Sequence, residues 1–148
     1  MSEILRRNTP SYTGGGNLSA ARRKIINPEA LPNWQNVEID ESKLTSYALN
    51  MDHPVGRPKA IEFHDRLGFT NLNYRALVNQ IIQQLPFYKA IKSRMTPDGQ
   101  SYVVVMPVSG YNGENAKILA FFIDDKNLGH PRLSNVRIAH GKDTSKWN

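Results

Sequence analysis

The apolar residues of this chain change their spacing once, after the turn Thr96-Pro97-Asp98-Gly99. Between Asn71 and Leu85 they recur every three or four residues, which is typical of one face of an α-helix. Beyond the turn the period becomes two, with many β-branched residues, which predicts strands. The predicted strands are Ser101–Val108, Asn115–Ile123 and Arg132–His140. This order predicts an α+β fold in which N-terminal helices pack on a small antiparallel β-meander.

Shorter signals complete the predicted elements. Asp40 is a suitable N-cap for a helix with Leu44, Tyr47 and Ala48 on one face. Pro58 suits the first turn of a second helix, over residues 59–67, and Gly68 suits its left-handed cap. One more short helix is expected over Phe87–Ser93. The polar tail after Gly141 is expected to fray.

The first 31 residues are predicted to form a flexible basic arm or linker before a domain over residues 32–148. Pro10 and the run Gly14-Gly15-Gly16 are typical of linkers. Leu18–Ile26 could form a short basic helix, although a solvated linker is the favoured interpretation.

Composition narrows the classes of function. The net charge of +6 over 148 residues suggests an acidic partner, with nucleic acid as the first candidate and an anionic membrane or an acidic protein inhibitor as alternatives. The absence of cysteine excludes disulfides and thiolate chemistry. The sequence lacks a metal-binding motif, a nucleotide-binding glycine loop and an apolar run of membrane-spanning length. A nucleotide-dependent transferase is therefore the least favoured activity.

The polar residues suit metal-free cleavage of RNA, which needs a base, an acid and cations around the phosphorus centre. His53, Arg57 and Lys59 are predicted to cluster at the positive end of the second helix. The wider set of candidates is His53, Arg57, Lys59, His64, Tyr102, His130, Arg132 and His140. Purely structural roles stay open: His53 and Pro54 as a turn before a capped helix, His64 facing solvent, and His130 at the entrance to a strand.

Several segments resemble a domain family of unknown function found at the C-termini of bacterial polymorphic toxins and in phage head-morphogenesis proteins. The most specific segment is His53-Pro54-x-Gly56-x-x-Lys59-Ala60. The resemblance covers about residues 31–138 and includes Leu31-Pro32-Asn33, Leu67-Gly68-Phe69, Asp98-Gly99, Gly110-x-x-Gly113 and Pro131-Arg132-Leu133. Asn135, Val136 and Phe122 depart from the family pattern, which often has threonine, an aromatic residue and tryptophan there. Ser134 could replace the threonine.

The resemblance implies a fold similar to the barnase/EndoU/colicin D ribonucleases and a metal-independent, cofactor-free ribonuclease toxin that acts on tRNA or another structured RNA. It implies His53, Lys59, Arg132 and Tyr102 as catalytic residues. The expected phosphate-binding residues are Arg57, His130, Ser134, Asn135 and Arg137. An acidic immunity protein is the expected partner, a host translation factor stays open as another, and delivery is expected from a secreted carrier into the target-cell cytoplasm. The alternative is a non-catalytic nucleic-acid- or protein-binding module, such as a phage structural domain.

Overall fold

A four-stranded antiparallel sheet, in the order β1-β2-β3-β4, forms the second half of the chain. The structure is a computed structural model that describes residues 25–147, without the side chains of Tyr47 and Thr144. The strands are β1 (Ala90–Thr96), β2 (Gly99–Ser109), β3 (Asn115–Asp125) and β4 (His130–Ile138). Because each strand pairs with the next along the chain, the sheet is a meander, as predicted.

The helices precede the sheet, except for one at the C-terminus. They are α1 (Arg57–Glu62), α2 (Tyr74–Gln84) and α3 (Gly141–Lys146). A π-helical turn, Phe63–Leu67, extends α1, and a 3-10 turn, Leu85–Phe87, extends α2. Two further turns are Trp34–Asn36 and Leu44–Ala48. The predicted α+β fold is confirmed.

Local sequence accounts for both ends of α1. Pro58 occupies the first turn of the helix, where a missing N–H leaves no hydrogen bond unmade. Gly68 ends the π-helical turn with φ 72°, a left-handed conformation that is easiest for glycine. Phe63 and Leu67 are fully buried, so the apolar face predicted for this segment anchors it to the core.

The main core lies between α2 and one face of the sheet. Leu77, Val78, Ile81 and Ile82 of α2 are buried, as their spacing predicts. Burial of each such side chain contributes about 1.5–3 kcal/mol to folding. Their partners on the sheet include Val104, Met106, Ile118, Ala120, Phe122, Leu133, Val136 and Ile138.

Strand alternation places a different set of β4 side chains on the face away from α2. Leu133 and Val136 are buried in the core, and a bulge opposite Phe121 and Phe122 separates them by three positions. Arg132, Asn135 and Arg137 therefore project from the other face, where each is partly exposed. This geometry determines which polar residues can meet α1.

Two predicted elements are wrong. The segment expected to be a short helix over Phe87–Ser93 instead enters strand β1, because the turn at Pro97 and Asp98 folds it back onto β2. The tail expected to fray forms α3, because the buried carboxylate of Asp143 accepts hydrogen bonds from the main-chain N–H of His140 and from Arg137. The predicted arm lies largely outside the described residues, as does most of the candidate helix Leu18–Ile26.

Candidate functional site

Lys59 joins α1 to the edge strand β4. Its ammonium group donates a hydrogen bond of 2.6 Å to Oδ1 of Asn135, and its side chain is half-buried. Burial, and then the positive charge of Arg137, hold the pKa of Lys59 below its ordinary value of 10.5. A lysine with a lowered pKa exchanges its proton more readily near neutral pH, which makes this position a candidate for acid–base chemistry.

Asn135 presents an amide donor beside that lysine. Its Oδ1 accepts hydrogen bonds from Lys59 and, at 2.9 Å, from the main-chain N–H of Val136. These two donors assign the oxygen and leave the amide nitrogen on the opposite side of the group. Within residues 25–147 that nitrogen donates no hydrogen bond, so it is available to an incoming oxygen.

Arg137 places a second cation next to Lys59. Two of its nitrogens donate to the carboxylate of Asp143 at 2.9 and 3.0 Å, a bidentate geometry that fixes the plane of the guanidinium. These bonds, together with the N–H of His140, lower the pKa of Asp143 to about 2. The guanidinium also lies 6.0 Å from the ring centroid of Phe121. We name Lys59, Asn135 and Arg137 the Lys59 cluster.

A contact between α1 and His140, the N-cap residue of α3, lies beside the Lys59 cluster. His140 Nε2 lies 2.7 Å from Oε2 of Glu62, one turn after Lys59 on α1. Arg66 donates to the same carboxylate oxygen at 3.2 Å. The imidazole of His140 is therefore held by a carboxylate close to the Lys59 cluster.

His53 lies in the turn before α1, and its ring is oriented by main-chain donors. Nδ1 accepts hydrogen bonds from the N–H groups of Val55 and Gly56, at 3.0 and 2.9 Å. In the neutral ring the proton is consequently assigned to Nε2. In this tautomer His53 can donate a hydrogen bond through Nε2 but cannot act there as a base, and donation of a proton would require the imidazolium form. Arg57 is exposed at the start of the helix.

Arg132 does not join the Lys59 cluster. It donates to Asp125 at 2.9 Å and to Asp98 at 3.0 Å, and thereby ties together the β1–β2 and β3–β4 turns. Its position is three residues, or about 10 Å, along β4 from Asn135. His130 lies nearer still to the same end of the strand, with Nε2 2.8 Å from Oε1 of Glu38.

Two further predicted site residues have structural contacts. Tyr102 is buried in the core between α2 and the sheet, and burial, followed by the charge of Asp124, raises its pKa. Ser134 lies in the β4 bulge and donates its hydroxyl hydrogen to the carbonyl of Phe121 at 3.2 Å. Of the nine predicted residues, the structure joins Lys59, Asn135 and Arg137.

Asp143 and Glu62 complete the surroundings of the Lys59 cluster, and neither was predicted from the sequence. The position of Asp143, three residues after His140, is the spacing of an acidic residue that caps a helix N-terminus. That signal could have indicated α3. No local pattern indicates the contact between Glu62 and His140, since 78 residues separate them.

Residues 25–147 contain neither a cluster of side chains suited to a metal ion nor a helix that could span a membrane. This part of the chain contains no group of three or more histidine, aspartate or glutamate side chains placed to share a metal ion. None of its helices has the length and apolar character required to span a bilayer.

Comparison with known proteins gives a family match and a similar solved fold. Residues 30–137 match a domain of unknown function, DUF6883, in agreement with the range of the resemblance identified from sequence. The fold is similar to that of one chain of a contact-dependent growth inhibition toxin–immunity protein complex from Klebsiella pneumoniae 342. The TM-score is 0.53 at 16% identity, over 75% of this chain and 100% of the other. No curated protein matches the sequence.

Proposed function

The chain belongs to the DUF6883 family, a domain family of unknown function, and from this premise we propose that it is a metal-independent ribonuclease toxin module. The Lys59 cluster is the proposed active site. The observation that carries the proposal is the half-buried ammonium of Lys59, with its lowered pKa, beside the guanidinium of Arg137.

The chemistry of RNA cleavage matches the groups of the Lys59 cluster. The 2′-oxygen attacks phosphorus and loses its proton, while the 5′-oxygen leaves and gains one, which gives a 2′,3′-cyclic phosphate and a 5′-hydroxyl. Lys59 exchanges one of these protons, and we assign the other to His140, whose ring contacts Glu62 of α1. Arg137 and the amide of Asn135 stabilise the negative charge that develops on the phosphate oxygens.

The remaining features support a toxin acting on nucleic acid. The net charge of +6 favours association with a polyanion. The similar fold of a chain from a toxin–immunity complex supports a role in contact-dependent growth inhibition. The substrate that we propose is tRNA or another structured RNA. In such a system the chain reaches the target-cell cytoplasm from a secreted carrier, and an acidic immunity protein neutralises it.

Incubation of the purified chain with total RNA tests the activity. We expect cleavage to products with 2′,3′-cyclic phosphate and 5′-hydroxyl ends, at equal rates with and without EDTA. Cleavage that EDTA abolishes would exclude the metal-independent mechanism. RNA that stays intact under both conditions, together with unimpaired growth of cells that express the chain, would exclude the ribonuclease.

A non-catalytic binding module is the second candidate. Arg132 is paired with two carboxylates, Tyr102 is buried, and His53 Nδ1 is occupied by main-chain donors. These contacts give three of the residues predicted to be catalytic a structural environment, and this is the observation that supports a binding module. A binding module would hold RNA with an affinity that falls steeply with salt and would leave the RNA intact.

A further inference from the structure

Parts of the sheet edges are covered by other segments of the described chain. Along β4, the main chain of Glu38 accepts a hydrogen bond from Leu133 and donates one to Pro131, both 2.9 Å long. Exposed strand edges attract other strands, so native folds usually cover or disrupt them.

The part of β2 that extends beyond β1 is covered by glutamine side chains of α2. Gln80 accepts the N–H of Ser109 and donates to its carbonyl, both at 2.8 Å, as a neighbouring strand would. Gln84 donates to the carbonyl of Pro107 at 2.6 Å. Proline lacks an N–H, so no further donor is left unpaired at that position.

The second half of β1 differs from these covered edges. The N–H of Ala90 bonds the carbonyl of Glu29 at 2.9 Å, so at Ala90 the main chain faces away from β2. Alternation then directs the main-chain N–H and C=O of Lys92 outward as well. Within residues 25–147 nothing bonds these two groups, and the side chains of residues 92–95 are all exposed.

The uncovered edge is basic and partly apolar. Lys92 and Arg94 form no ion pair within the described part of the chain, and Met95 is 68% exposed. A bulge between Lys92 and Met95 displaces Ser93 and Arg94 from regular register. The like charges of Lys92 and Arg94 oppose pairing with β1 of a second copy, whereas acidic side chains on an added strand would be complementary.

We propose that residues 92–95 of β1 form the docking edge for an extended, acidic strand of a protein inhibitor. The added strand would bond the outward main-chain groups of Lys92, place carboxylates beside Lys92 and Arg94, and cover Met95. Main-chain pairing of this kind supplies affinity, and the side chains supply selectivity. The inference rests on the proposed function for the class of partner, but its geometry is independent of RNA cleavage.

A synthetic peptide of alternating glutamate and valine provides the probe, with a lysine–valine peptide of equal length as its counterpart. We expect the acidic peptide to shift the backbone amide NMR signals of residues 91–96 in the full chain and to slow hydrogen exchange at Lys92. The lysine–valine peptide should do neither. Equal binding of both peptides, or shifts confined to other residues, would overturn the proposal.

Charge-reversal variants test whether peptide binding depends on this edge or only on the net positive charge of the chain. The double variant K92E/R94E should weaken binding of the acidic peptide by about tenfold or more, since opposite charges become like charges. The control K117E/K126E changes the net charge equally at exposed lysines elsewhere and should stay within about twofold of wild type. If both variants lose the same affinity for the acidic peptide, binding depends only on the long-range effect of net charge, and the proposal is contradicted.

The peptide-binding assay and the RNA-cleavage assay test the docking edge and the active site independently. If the acidic peptide shifts the NMR signals of β1 but RNA stays intact in the cleavage assay, the docking edge is supported and the ribonuclease is excluded. If RNA is cleaved but the acidic peptide leaves the signals of β1 unchanged, the ribonuclease is supported and the docking edge is excluded. If a single-stranded RNA shifted residues 91–96 and the acidic peptide did not, the edge would belong to nucleic acid and the proposal would fail.

Discussion

Asp143 connects the C-terminal helix to the Lys59 cluster through its bidentate pair with Arg137. Its pKa falls from an ordinary 3.8 to about 2 in the folded chain, so the folded state favours the ionised carboxylate. The stabilisation is therefore fully present above about pH 4 and is lost as the pH falls toward 2. We expect D143N to remove at most about 2 kcal/mol of stability at pH 7 and much less near pH 2.

Denaturant unfolding of wild type and D143N across this pH range checks the prediction. The exposed carboxylate of Asp52, which forms no ion pair with the described residues, offers the matched control D52N. Asp125 also has a lowered pKa, so it makes the stability of both proteins depend on pH. The relevant quantity is therefore the difference in unfolding free energy between wild type and D143N at each pH. A constant difference between pH 7 and pH 2 would contradict the assigned role of Asp143.

Arg132 is predicted to stabilise the fold rather than to catalyse a reaction. Replacement by glutamine leaves the buried carboxylate of Asp125 without its cation, although the N–H groups of Asn127 and Leu128 still bond it. We expect R132Q to lose about 2 kcal/mol of unfolding free energy. RNA cleavage well below the melting temperature should stay within about threefold of wild type.

Arg94, which is exposed and has no ion-pair partner among residues 25–147, supplies the control R94Q, which should leave stability nearly unchanged. A loss of cleavage by about a hundredfold in R132Q, without a comparable loss of stability, would return Arg132 to the active site, as the sequence resemblance implied.

At the scale of elements, the β2–β3 hairpin closes on the end of the segment that carries Lys59. The N–H of Tyr111 donates to the carbonyl of Leu67 at 2.7 Å. A β-carbon added at Gly110 would lie 2.5 Å from that same carbonyl oxygen and 2.8 Å from Cα of Leu67, both of which are backbone atoms. We expect G110A to destabilise the chain by about 2 kcal/mol or more, because neither segment can yield locally.

Thermal unfolding of G110A beside G141A tests this contact. A β-carbon at Gly141 would meet no atom within 4 Å, so G141A should melt close to wild type. Equal melting temperatures for G110A and wild type would show that the hairpin does not press against Leu67.

Local sequence predicted the elements whose signals lie within the element itself. The spacing of Leu77 and Ile81, the position of Pro58 and the cap at Gly68 each act over a few residues, and the structure confirms them. Strand β1 was not predicted from the sequence, because its pairing with β2 depends on the turn that follows it. The final helix was not predicted although Asp143 has the spacing of a capping residue, because the contact that anchors the helix joins Asp143 to a residue of β4.

At the scale of the molecule, only part of the candidate site could be predicted. Lys59 and Asn135 were both among the predicted site residues, and the structure brings them into contact. Which β4 residue would meet Lys59 depends on the bulge near Ser134, and this bulge leaves no sequence signature. The pairing of Arg132 likewise depends on two turns that approach each other only in the folded chain.

The net charge of the molecule leads to a prediction about salt. If RNA phosphates contact the Lys59 cluster, log affinity for single-stranded RNA should fall linearly with log salt concentration, by about 0.7 per phosphate neutralised. K59M should make this slope shallower by about 0.7, the contribution of one phosphate. The affinity is measured by fluorescence anisotropy in EDTA with a 2′-deoxy analogue that the chain cannot cleave. An unchanged slope would place the phosphate contacts elsewhere.

The most direct test of the proposed active site is the rate of RNA cleavage by K59M in EDTA, measured beside wild type and the exposed-lysine control K126M. We expect K59M to lose activity by about a hundredfold or more, since acid–base groups contribute factors of about 10²–10⁴. K126M should cleave at the wild-type rate, and all three proteins should melt within a few degrees of one another. Cleavage by K59M at the wild-type rate would contradict the assignment of the Lys59 cluster as the active site.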